Sequence, residues 1–301
     1  DPRARGLGDV SKRQTSTDES LSVAITRRLK PLAEAAHTRN ATVLVDPSLI
    51  DEVRAMASGY LVAGKGSHTV AGTGQEQAKE WLNLVEPLLS SGRAYRLPYG
   101  NADVIGAARQ GRSSLLLTVK HAVDPSNPAA HLPLAIIDPA AELDNSSFKT
   151  LAKELSPSVI LTCAASVRKG VREDFGVKIV GLADTVRTSG QPQSNSDSQR
   201  RGMLLSQALL MTRESIPAVT LVTTVNDVQA TAPVSWLHLQ NLSTILNGAK
   251  PGLHLPESHA GNTILKDSWW QIQLDVRVEA GCRADFLWDS PAPRSEANSN
   301  I

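Results

Sequence analysis

Apolar runs of strand length recur along the chain at 41–46, 93–98, 132–137, 158–163, 177–182 and 218–225, and helical patterns separate them. That alternation is the rhythm of parallel α/β architecture, in which each crossover returns the chain to begin another strand in the same direction. In EQAKEWLNLVEPLL, residues Ala78, Leu82, Val85 and Leu89 recur at three- or four-residue steps, the spacing of one helix face. LSVAITRRLKPLAEAA, RRGMLLSQALLMT and VSWLHLQNLSTIL behave alike. Near the end, in WWQIQLDVRV, residues Trp270, Ile272, Leu274, Val276 and Val278 alternate with polar ones, as in a half-buried strand.

The pattern predicts an α/β fold: a distorted or incomplete (β/α) barrel over 21–250, followed by a short, partly β extension over 251–301. Six strands are two short of a closed eightfold barrel, so an open doubly wound parallel sheet is the alternative. Residues 1–20 are polar and without period and read as a flexible arm; RTSGQPQSNSDSQ, residues 187–199, reads as a mobile loop over one end of the sheet.

Composition narrows the partners. The chain has 301 residues, 41% hydrophobic and 20% charged, with a net charge of +1 and no Lys/Arg stripe. Such a chain buries a full core, and nucleic acid, which requires clustered cations, is not expected as a partner. No apolar stretch approaches the roughly 20 residues of a membrane helix, so a soluble domain is expected. The chain opens on Asp1, which suggests a processed or trimmed form of a longer parent. Cys163 and Cys282 lack metal or redox spacing and read as buried thiols.

Two strands end in the same device: ATVLVDPSL, residues 41–49, runs into Asp46-Pro47, and PLAIIDPAAEL, residues 133–143, into Asp138-Pro139. Aspartate is a good N-cap, and proline suits the first helical position because its missing N–H has no partner there. Capping is thus the structural account of both. The same geometry sets both carboxylates at the C-terminal ends of parallel strands, where α/β folds form their ligand clefts.

Other segments bring polar groups to that rim: LPYGNAD with Tyr99, Asn101 and Asp103, GLADT with Asp184, TTVND with Asn226 and Asp227, and Thr162 with Cys163. Asp103 also suits a cap for the helix VIGAARQ, and Asp227 an ordinary turn. Acids, an aromatic and an amide on one rim make the composition of a sugar site, where a carboxylate pair acts as acid and as base or nucleophile. Asp46 and Asp138 are the expected pair. Tyr99 and Asn101 would position sugar, with Asp103, Asp184 and Asn226 as further binding groups. An acidic rim also suits a hard cation such as calcium or magnesium, but no EF-hand spacing supports one. No cofactor and no metal ligand set are assigned.

Several motifs are discounted. Gly59, Gly64 and Lys65 have phosphate-loop spacing, but Gly66 replaces the required Ser/Thr and the segment follows a helix, so GYLVAGKGS reads as a flexible loop. Pro256 breaks any helix that would align His254, Glu257 and His259 on a metal. There is no G-x-S-x-G elbow and no H-E-x-x-H. His121 and His131 read as structural or exposed, Trp81 and Trp236 as helical core, and Trp269 and Trp270 as packing residues.

VLVDPSLIDEVRAMASGYLV, then AKEWL, then RLPYGNADVIGAAR resembles the opening of an uncharacterised family of actinobacterial cell-envelope proteins commonly encoded beside the lipid II flippase of the MurJ type. The similarity is clear over 41–110 and weaker to 250. It implies an extracytoplasmic domain tethered by a membrane segment of the parent, and a barrel similar to glycoside hydrolases and polysaccharide deacetylases. It highlights Asp46, Tyr99, Gly100, Asn101 and Asp103 without assigning a catalytic role to any of them. The deacetylase metal motif, an Asp pair with an H-x-x-x-H run, is missing here.

Two functions are therefore expected as alternatives. One is a glycan-binding, hydrolase-like cleft. The other is a catalytically inactive barrel that acts as a scaffold for proteins of peptidoglycan assembly.

Overall fold

The computed structural model describes residues 20–38, 41–63, 69–138, 142–163, 171–182, 201–202, 205, 218–219, 240–248 and 250–251. The arm before Ser20, the loop 187–199, the extension beyond 251, most of the pattern at 200–212 and the first part, 234–239, of that at 234–246 lie outside those residues.

Helix α1 opens on Ser20, whose hydroxyl accepts from Val23 N, and runs through Leu21–Ala24, a π-helical turn Ile25–Leu29 and Lys30–Thr38. Pro31 explains the turn. It has no N–H to return to Arg27, and Lys30 N reaches back five residues to Ile25 O instead. Strand β1 (Val43–Val45) leads into α2 (Pro47–Ala57). A small antiparallel hairpin, β2 (Leu61–Ala63) with β3 (Thr69–Ala71), stands where the glycine-rich segment reads as loop, and α3 (Gln75–Leu89) returns the chain to β4 (Ala94–Arg96).

A 3-10 turn at Tyr99–Asn101 then leads to α4 (Val104–Arg109), α5 (Ser113–His121) and β5 (Ala135–Asp138). Next come α6 (Asn145–Leu155), β6 (Val159–Cys163), β7 (Arg172–Asp174) and β8 (Val177–Leu182). The last described elements are β9 (Ala218–Val219), α7 (Leu242–Leu246) and β10 (Lys250–Pro251).

The pairing is mostly parallel and follows chain order. β1 pairs with β4, with Leu44 opposite Tyr95; a parallel bridge joins Arg96 to Leu134 just before β5; β5 pairs with β6, β6 with β8, and β8 with β9. β7 folds back antiparallel on β8 through Phe175 and Gly176, both at positive φ, and β10 pairs with β7. The result is a mixed α/β fold of parallel and mixed sheets, and among the described residues no sheet closes on itself. No described helix is long and apolar enough to cross a membrane.

Strand alternation divides the side chains between two faces. Val43, Val45 and Ala94 pack with Ile50 and Val53 of α2 and with Ala78, Trp81 and Val85 of α3. Ile136, Ile160 and Ile179 pack with Leu116 of α5 and with Phe148 and Leu151 of α6. The alternate residues Tyr95, Ala135, Val159, Leu161 and Val180 form a third cluster with Leu242 and Leu246, and Leu44, Ile137 and Val219 pack against it. Leu242 N also donates to Thr42 Oγ1 at 2.9 Å, tying the last described helix to the entrance of the first strand.

Leu161 is fully enclosed in the inner cluster, whereas Leu117 on α5 is 40% exposed. Leu161→Ala is expected to cost about 2–5 kcal/mol in urea denaturation. Leu117→Ala should stay within about 0.5 kcal/mol of wild type.

Candidate functional site

Asp46 follows β1 and caps α2. Its Oδ1 accepts from Ser48 N at 2.9 Å, with Pro47 in the first helical turn. The same oxygen accepts from Gly100 N at 3.0 Å, so one carboxylate joins the start of α2 to the turn that follows β4. That turn needs its glycine: Gly100 has φ 66°, a left-handed conformation that costs other residues more. Leu97 N donates to Val45 O at 2.8 Å and extends the β1–β4 ladder to the base of the turn.

Tyr99 and two acids of α2 complete this rim. Tyr99 is hydrogen-bonded to Asp51, and its phenol is pushed up to about 12 by burial and by the neighbouring Asp51, Glu52 and Asp46. It is therefore a neutral donor at any physiological pH. Glu52 is held above the usual carboxylate range, first by burial and then by Asp46 and Asp51. Asn127, buried and remote in the chain, donates to Pro47 O at 2.9 Å and to Asp51 Oδ1 at 2.8 Å, and thereby fixes Asp51. Asn101 is exposed at φ 48° beside Tyr99.

Asp138 has a different setting. It is 1% exposed, and its carboxylate accepts from Glu142 N at 2.9 Å, Leu143 N at 3.2 Å and Thr162 Oγ1 at 3.1 Å. These are not the bonds of an N-cap, because α6 begins only at Asn145 and its cap is Asp144, which accepts from Ser147 N at 2.8 Å. Burial raises the Asp138 pKa; the Glu142 and Leu143 amides, the Thr162 hydroxyl and Arg109 pull it down without overcoming that cost. Arg109 Nη1 lies 3.6 Å from Glu142 Oε2. Glu142 is itself raised, by burial against the pull of Arg109 and with the push of Asp138 and Asp103.

The expected site residues thus fall into separate environments. Asp46, Tyr99 and Asn101 share the rim above β1 and β4. Asp138 and Thr162 lie beneath the α6 approach, where the carboxylate organises a loop and meets no solvent. Asp103 is exposed and caps α4 through Gly106 N at 2.8 Å. Asp184, Asn226 and Asp227 lie outside the described residues, as does Cys282. Among the described residues no three His, Cys, Asp or Glu side chains are arranged to hold a metal ion.

Three residues were hidden from sequence reasoning. Asp51 and Glu52 lie one helical turn beyond Ser48, a signal that becomes readable once Pro47 is accepted as the helix start. Asn127 has no such signal, because it reaches Asp51 from 76 residues away. No protein-family model matches the chain, and no curated protein matches it either.

Glu52, Asp138 and Glu142 bind protons more readily in the folded chain than in the unfolded one. The stability each adds is complete below the ordinary carboxylate range and is lost as pH rises through its raised pKa. Asp144 has the opposite sign: burial pushes it up, but the Ser147 hydroxyl and amide, the Ser146 amide and Arg109 together hold it low. Its contribution is complete above the ordinary range and is lost as pH falls through the depressed value. In urea denaturation, Glu52→Gln should therefore gain stability relative to wild type as pH climbs from about 4 to about 7. Asp144→Asn should show no such gain over that window, and a pH-independent difference for Glu52→Gln would refute its burial.

Proposed function

We propose that the chain is an extracytoplasmic, glycan-binding domain of the cell envelope, built on a distorted, incomplete (β/α) barrel with a glycosidase-like cleft. The barrel reading is supported by the chain-ordered parallel pairing from β1 to β9 and by the split between helix-facing and inner-facing residues. The alternative, an open doubly wound sheet with helices on both faces, is supported by Leu242 and Leu246 of α7, which pack on the face opposite to that of α2, α3, α5 and α6. The envelope setting rests on the resemblance of residues 41–110 to the cell-envelope family.

The binding reading rests on one observation: Asp46, Asp51, Glu52 and Tyr99 influence one another at the ends of β1 and β4. Carboxylates accept from sugar hydroxyls, a half-buried phenol packs against a sugar ring, and Asn101 stands exposed beside them. A Glu52 whose proton affinity is raised by burial and by the neighbouring Asp46 and Asp51 would suit the general acid of a hydrolase.

A second reading, a scaffold for proteins of peptidoglycan assembly, is supported by Leu61 and Val70, which are 61% and 52% exposed on the β2–β3 hairpin. It is supported also by Asp138, which is closed off from any substrate.

Titration calorimetry with soluble peptidoglycan strands tests the binding reading. Wild type is expected to bind, with Asp46→Asn and Tyr99→Phe each weaker by about tenfold, the worth of one charge-assisted or well-placed hydrogen bond. Absence of binding by wild type, or variants that bind as wild type does, would overturn it. Release of reducing ends from the same strands reports hydrolysis, and crosslinking of Leu61 or Val70 sites to an envelope-assembly protein reports the scaffold.

A further inference from the structure

The β2–β3 hairpin stands on a fixed root. Gly72 N donates to Tyr60 O at 2.8 Å, Gly74 N to Tyr60 Oη at 3.3 Å, and Gln75 Nε2 to Ala57 O at 3.0 Å. The Tyr60 ring lies so close on Gly72 that a Cβ there would run into it. Above that root the strands are in water: all of β3, Thr69–Ala71, is exposed, with Val70 at 52% and Leu61 of β2 at 61%. Two strands alone make a marginal sheet, and among the described residues no third strand pairs with the outer edge of β3.

The antiparallel register puts Val62 opposite Val70 on one face, and Leu61 opposite Ala71 and Ala63 opposite Thr69 on the other. Of the large hydrophobic side chains that the described residues expose, Leu117 lies on α5 and Phe175 in a turn, and Leu61 and Val70 are the two on strands. The chain also holds a strand pattern that lies outside the described residues: WWQIQLDVRV, 269–278, in which Trp270, Ile272, Leu274, Val276 and Val278 alternate with Gln271, Gln273, Asp275 and Arg277. A strand with that period requires a backbone edge to pair with and an apolar face to continue, and β3 offers both. Pro251 is the last described residue, and residues 252–268 reach at most roughly 60 Å when extended, enough to cross a domain of this size.

We infer that residues 269–278 add to the free edge of β3 as the third strand of this sheet, with their apolar side chains on the Val62–Val70 face and their polar ones on the face of Thr69 and Ala71. Neighbours on one face of adjacent strands stand about 5 Å apart, so a branched or aromatic side chain of the segment removes Val70 from water while the backbone groups of β3 gain partners. The hairpin is already held at its root, so only the segment has to be ordered. The pairing is independent of the glycan reading. It withdraws Val70 from the surface open to a scaffold partner and leaves Leu61, on the opposite face, within it.

Hydrogen–deuterium exchange on the full chain tests the pairing. The amides of Thr69–Ala71 and of 270–278 are expected to exchange about tenfold more slowly in wild type than in Val70→Asp, which sets a charge on the shared face. Val70 is half exposed, so the body keeps its fold in that variant, and unchanged exchange in β6 (Val159–Cys163) reports this. Ile272→Asp combined with Leu274→Asp should release the β3 amides to the same degree. Wild-type amides of 270–278 that exchange as an open chain would overturn the inference. So would protection there that Val70→Asp leaves intact, because the segment would then pair elsewhere. Protection of β3 that falls on dilution would assign the edge to a second copy of the chain and overturn it as well.

Discussion

The two-residue period of the parallel strands is the constraint on which the rest of the structure depends. It sends Val43, Val45, Ala94, Ile136, Ile160 and Ile179 to one face, against α2, α3, α5 and α6, and sends Tyr95, Ala135, Val159, Leu161 and Val180 to the other, with Leu242 and Leu246 of α7. Each strand is short, and β1 and β4 span three residues apiece. A slip of one residue in either would exchange Tyr95 with a helix-facing neighbour and remove the aliphatic side chains that α2 and α3 bury. The Arg96–Leu134 bridge, with Arg96 N donating to Pro133 O at 2.9 Å, carries the same register from the β1–β4 pair into the larger sheet.

That period also explains why two identical dipeptides have different fates. Asp46 lies one residue beyond its strand, free to cap α2 and to hold the Gly100 turn. Asp138 is still within β5, in the same phase as Ile136, and so points to the helix layer. There it meets Thr162, its register partner on β6, and the amides of Glu142 and Leu143. A buried carboxylate is tolerated in that place because hydrogen bonds and Arg109 offset part of the cost of removing it from water.

The rim above β1 and β4 is polar for a complementary reason. Two of its acids are anchored by backbone or by a neutral side chain: Asp46 by two amides, Asp51 by Asn127 and Tyr99. Carboxylates held in this way keep acceptor capacity for hydroxyl groups, whereas an ion pair would spend it.

Local patterns in the amino-acid sequence were sufficient to determine the alternation of strands and helices, the Asp46 and Asp103 caps, the apolar face of α3 and the Tyr99–Asn101 turn, because each depends on residues within a few positions of one another. The β2–β3 hairpin was not legible, because its glycine-rich connection carries no strand period. Tertiary structure alone decided that Asp46 and Asp138 occupy different environments, that Asn127 fixes Asp51, and that Tyr95 packs with Ala135, Leu161 and Val180. Each of those facts depends on which face a strand residue takes and on contacts between segments far apart in the chain. A pattern of residue types records propensity along the backbone; the register between strands, which packing sets, chooses the neighbours.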